Sequence, residues 1–135
     1  GDYVMTQLDC AGARKADDPV ALGSFGMDSH AVQHIIAADG TVQNEGVIWR
    51  VPPRPYGISY RAIVPRRGEC ENLFSPVCLS ASHVAHGSIR MEPVFMVLSE
   101  SAAHAAAIAI EEGLSVQQVE YGKLKPVLLK SGQKL

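Results

Sequence analysis

Residues 76–113, PVCLSASHVAHGSIRMEPVFMVLSESAAHAAAIAIEEG, constrain the fold more than any other part of the chain. The apolar run over residues 73–79 predicts a short strand buried on both faces. A polar loop is expected over residues 80–92, holding His83, His86, Arg90 and the Gly87-Ser88 pair. It feeds an alanine-rich helix over residues 94–112, with Pro93 suited to a first-turn position and Gly113 as terminator. Ser101, Ala102, Ala105, Ala106 and Ala109 make a stripe of small residues, which lets a helix pack close against a sheet or a ligand. Strand, polar loop and small-residue helix are the parts that bring a helix N-terminus up to an anionic cofactor.

The first half reads as antiparallel sheet. Residues 3–8 alternate weakly and predict a strand, and residues 9–20 suit a loop or short irregular helix. Residues 31–37 and 42–49 are β-compatible runs joined by Asp39-Gly40, a strong hairpin signal. Three prolines in VPPRPY make residues 50–56 an extended connector, and residues 58–64 resume as a strand. After Gly113, Ser115 and Gln118 resemble a capping box. A second helix follows, with Tyr121, Leu124 and Leu128 on one face and Pro126 as a source of kinking. The expected class is α+β.

Apolar residues make up 47% and charged residues 19%, the balance of a globular chain. Net charge is −2 with no basic stripe, which argues against nucleic acid as a partner. Residues 94–110 come closest to the ~18 apolar residues of a membrane span, but Ser99, Glu100, Ser101 and His104 interrupt them. Cys10, Cys70 and Cys78 form no CxxC or CxxH pattern, so reduced thiols are expected. The histidines show no HxH or HExxH spacing, and no metal site is expected.

Three groups of residues could carry chemistry. His83 ends the expected buried strand, where it serves either as a structural hydrogen-bonding residue or as a general base. Arg90 precedes the helix start, where it either holds an anion or pairs with Glu92 at the surface. Tyr60 and Arg61, on one expected strand, point to opposite faces, one toward a core and the other toward a cleft or solvent. A Ser/His/Asp arrangement can be drawn through Asp28 and His30, but no G-x-S-x-G elbow supports it.

The segments GDYVMTQLD, LGSFGMDSH, PYGISYRAIVPRRGECENL and LSASHVAHGSIRMEPVFMVLSESAAHAAAIAI together span most of the chain. They resemble the C-terminal portion of FAD-dependent oxidoreductases of the family often labelled xanthan lyase. This chain departs from that pattern at Pro76-Val77, where such proteins often carry Gly-Arg, at Ser99 and Ala103 in place of glycines, and at Glu100 in place of Gln.

The resemblance implies a discontinuous FAD domain. Residues 1–71 would form a β-rich substrate-side segment, and residues 72–135 the last strand and helices of a Rossmann-like FAD domain. It implies FAD as cofactor, with Ser82, His83, Ser88, Arg90, Met91 and Glu92 near the flavin. His83, His30, Tyr60 and Arg61 would be catalytic, acting on a small hydroxylated or carbohydrate-like substrate. No G-x-G-x-x-G follows a strand here, so the chain is expected to be a C-terminal fragment that lacks its FAD-binding half, is inactive alone and binds no FAD by itself. Uncovered apolar surface would then make it a homo-oligomer. Two other readings stay open: a self-associating binding module, and a polysaccharide lyase using Tyr60 and His83.

Overall fold

A computed structural model describes residues 1–135. Its dominant feature is one long antiparallel ribbon folded back at Asp39-Gly40. Three ladders follow one another along it: β1 (Pro19–Gly23) with β6 (Tyr56–Ser59), β2 (Met27–Ser29) with β5 (Ile48–Arg50), and β3 (Gln33–Ile36) with β4 (Val42–Glu45). The tip is the hairpin that Asp39-Gly40 predicts. Gly40 has φ +82° and gives its N–H to the Ala37 carbonyl, while the Asp39 carboxylate accepts the N–H and hydroxyl of Thr41.

Ribbon base and ribbon tip have different surroundings. At the base Val20, Ala21, Ile58 and Ser59 are fully buried. Near the tip Val32, Ile36 and Val42 remain 76%, 80% and 70% exposed. Ile36 pairs with Val42 across the ladder, so both lie on one face.

Four helices complete the chain: α1 (Gln7–Cys10), α2 (His83–Ile89), α3 (Glu92–Glu112) and α4 (Tyr121–Lys130). Helix α3 ends as the sequence predicts, at an αL stop on Gly113 (φ 64°), with Pro93 in its first turn, and begins two residues earlier than the expected position 94. Most of its small-residue stripe is core: Ser101, Ala102, Ala105 and Ala109 are buried, with Leu98, while Ala106 is half-buried. Small side chains let α3 approach β1 so closely that the Ser101 hydroxyl donates to the Val20 carbonyl at 2.6 Å. By length and hydropathy alone α3 would also pass for a membrane span, but this face packs on β1 and α4. Leu124 and Leu128 of α4 are fully buried beneath it, and Pro126 lies inside α4 without ending it. Residues on both sides of position 71 feed one buried apolar cluster, with Met5, Ile58 and Ile63 alongside Ile89, Leu98 and Leu124.

Four local expectations are overturned. Residues 73–79 form no strand: Leu73, Val77 and Cys78 are exposed and only Leu79 is buried. Pro76 has no N–H for a ladder, and the segment is tied down at single points, Ser75 N–H to Ile63 O and Ser80 N–H to Ala62 O. Residues 3–8 make only one parallel bridge, Met5 to Ala81, before turning into α1. There the Thr6 hydroxyl caps Leu8 N–H and the Asp9 carboxylate accepts Thr6 N–H at 2.7 Å, a capping box that wins over strand pairing. β6 stops at Ser59, where its hydroxyl caps a 3-10 turn over Tyr60–Ala62, so Tyr60 and Arg61 do not alternate across a strand. Finally, the expected polar loop over residues 80–92 is largely helix α2.

Candidate functional site

Helix α2 begins where the Ser82 hydroxyl accepts the Ala85 N–H at 3.3 Å. Once residues 83–89 are helical, His83, His86, Gly87 and Arg90 fall at i, i+3, i+4 and i+7, on one face. That face packs on β2. A Cβ on Gly87 would lie well under 3.0 Å from the Asp28 carbonyl oxygen, so glycine is what allows the helix to touch the strand backbone.

The contact brings Asp28, Ser29 and His30 against the α2 face, and the seven residues enclose a pocket of about 200 Å³. None of its lining side chains is apolar. Arg90 Nη2 donates to Asp28 Oδ2 at 3.1 Å, so the arginine pairs across to β2 and not with Glu92. His30 Nε2 stands 3.5 Å from the same Asp28 oxygen, and Ser29 Oγ lies 3.3 Å from His83 Nε2. The His86 ring lies beside that of Phe95 on α3, with centroids 6.3 Å apart. No three His, Cys, Asp or Glu side chains converge with metal-ligand geometry.

Of the nine expected site positions, His30, His83 and Arg90 meet in this pocket. Ser82 and Met91 are the N-caps of α2 and α3, and Glu92 opens α3, exposed. Ser88 is fully buried with its hydroxyl committed: it donates to the Phe25 carbonyl, so its neighbour at 2.6 Å, the Tyr56 hydroxyl, is the donor to it. Tyr60 and Arg61 lie elsewhere. The buried Tyr60 hydroxyl donates to the Val116 carbonyl at 2.6 Å, and burial pushes that phenol well above its ordinary range. Arg61 pairs with Asp17 and Asp18 and lies over the Tyr3 ring. Tyr60→Phe is therefore expected to lower unfolding stability by about 1 kcal/mol, the worth of one buried hydrogen bond, in a denaturant titration. Loss of turnover at unchanged stability would instead place Tyr60 in the chemistry.

Four pocket residues, Asp28, Ser29, His86 and Gly87, are not among the expected site residues. For His86 and Gly87 the signal is the i, i+3, i+4, i+7 spacing with His83 and Arg90, visible only once residues 83–89 are helical; Asp28 and Ser29 come in from β2 and share no such spacing.

A family model described as FAD dependent oxidoreductase matches residues 1–128. The chain belongs to that family, and membership implies FAD as the cofactor of the protein. No curated protein and no solved structure matches the chain.

Neither the start of α3 nor the broadest depression is built to hold a pyrophosphate. Pro93 has no N–H, and the N–H groups of Val94 and Phe95 both turn back to the Met91 carbonyl, so the start of α3 presents no cluster of free donors to a phosphate. The broadest depression, about 640 Å³ around residues 68–72 and 113–115, carries Glu69 and Glu71 and no cation, the wrong sign for a pyrophosphate. The polar pocket has room for a small molecule only.

Proposed function

We propose that this chain supplies a substrate-handling pocket to an FAD-dependent oxidoreductase acting on a small hydroxylated or carbohydrate-like molecule. The observation that carries the reading is convergence. His83 and Arg90 on α2 reach Ser29 and Asp28 on β2 across 54 and 62 positions of sequence, in a pocket lined only by polar residues and glycine. In such a reaction a hydride leaves the substrate carbon while the hydroxyl proton leaves its oxygen, giving a carbonyl. On this reading His83 takes that proton, with Ser29 holding the imidazole. Arg90, fixed by Asp28, orients the substrate. FAD supplies the hydride-accepting chemistry when bound.

The test uses full-length protein. His83→Ala is expected to slow substrate-driven flavin reduction by about 100-fold or more, the contribution of a positioned base, with flavin content unchanged. Arg90→Ala should lower the apparent affinity for substrate. Wild-type reduction kinetics in both variants would make the pocket scaffold. The resemblance to oxidoreductases labelled xanthan lyase keeps a carbohydrate-like substrate in view; a lyase would cleave its substrate without bleaching the flavin.

Self-association is a second reading, favoured by the apolar ribbon face of Val32, Ile36 and Val42. Sedimentation of the chain distinguishes it. An oligomer dispersed by Ile36→Asp supports it, and a monomer at all concentrations removes it.

A further inference from the structure

We infer that the polar pocket is a carboxylate site, and that the molecule it takes is a short hydroxy acid and not a neutral polyol. The inference rests on the pocket being the substrate site and adds the charge of the substrate. A guanidinium has five N–H donors in a planar fork that matches a carboxylate edge. Arg90 makes one hydrogen bond to the protein, from Nη2 to Asp28. Arg90 lines the pocket, and its remaining guanidinium N–H groups have no protein acceptor. His30, His83 and His86 line the same pocket.

Opposing charge is limited to one carboxylate, already paired with Arg90. Asp28 is the single carboxylate lining the pocket, and its Oδ2 is engaged by Arg90 and His30. Glu92, close by in sequence, opens α3 and does not line it. Size and lining narrow the ligand further. About 200 Å³ is the liquid volume of roughly seven water molecules, enough for a short acid. With no hydrophobic residue in the lining, the specific contacts open to a ligand are charge and hydrogen bonds.

The experiment compares glycolate with ethylene glycol, its neutral counterpart, titrated into the 135-residue chain while the histidine ring resonances are followed by NMR. Glycolate is expected to shift His83 and His86 saturably, and ethylene glycol to leave them unmoved at the same concentration. Arg90→Gln should weaken glycolate by about tenfold, the loss of a charge-assisted hydrogen bond. Asp28→Asn, which frees the whole fork and removes the like charge, should tighten it. Equal responses to the two probes, or no saturable response to glycolate, would overturn the proposal without recourse to any variant; unchanged binding in Arg90→Gln would do so as well. No flavin takes part, so a negative result removes the hydroxy-acid assignment and leaves the oxidoreductase reading to the flavin-reduction measurement.

Discussion

Gly87→Ala should destabilise the chain by about 2–3 kcal/mol, the upper range for overpacking a tight contact. The new methyl would meet the backbone carbonyl of Asp28, which cannot rotate away as a side chain can. Alanine is the better helix former, so an exposed glycine at this point would show the opposite sign. The contact also sets the pocket. Moving α2 off β2 parts Arg90 from Asp28 and His83 from Ser29, which stand at 3.1 and 3.3 Å. A denaturant titration reads the first effect, and the glycolate response, weakened more than stability alone explains, reads the second. An Ala variant as stable as wild type would mean that α2 and β2 are not in contact in solution.

The second large effect is expected at Asp9. This carboxylate is 1% exposed and accepts from the Tyr3 hydroxyl at 2.6 Å, the Thr6 N–H at 2.7 Å and the Arg14 guanidinium at 2.5 and 2.8 Å. Asp9→Ala leaves the other groups without their acceptor and should cost about 3 kcal/mol. That is the low end for breaking a buried pair, because Arg14 is 41% exposed and water can take its place. The pH dependence carries a sign. Burial pushes the Asp9 carboxyl up, but the Arg14, Tyr3 and Thr6 hydrogen bonds outweigh it and hold the group below the usual carboxylate range. Its contribution is therefore complete above the unfolded-state value near 4 and falls away as pH drops through the lower folded value. Tyr3 works at the other limb. Burial and the bond to Asp9 raise its phenol from 10.0 to about 12, so its contribution is complete below pH 10 and is lost as pH climbs toward 12. Asp9→Ala should flatten the acid limb and Tyr3→Phe the alkaline one in stability profiles; limbs unchanged in both variants would remove the cluster as their cause.

Much of the secondary structure was legible because its signals are local. Asp39-Gly40 marks a hairpin through the backbone freedom of glycine. Pro93 and Gly113 bracket α3, and the spacing of Leu124 and Leu128 sets the buried face of α4. Thr6 and Asp9 carry an equally local signal, a capping box, which the apolar residues around it concealed. Residues 73–79 misled for the opposite reason. An apolar run satisfies the hydrophobic pattern of a buried strand, but a strand also needs an edge to pair with, and composition contains no edge.

The site divides along the same line. By itself the sequence determined which residues could carry chemistry, since His83, His30 and Arg90 stand out by type, and it determined the antiparallel ribbon and the long helix. Only the tertiary structure decided which of them meet. It sent Tyr60 and Arg61 to a 3-10 turn, because Ser59 and Asp18 cap the end of β6. It buried Ser88 beneath Tyr56. It also turned residues 83–89 into a helix, despite the low helix propensity of Gly87, and laid them on β2. Helix propensity is a per-residue quantity of about 1 kcal/mol for glycine against alanine. The close approach to Asp28 that offsets it arises only between segments 59 positions apart, and no local pattern encodes it.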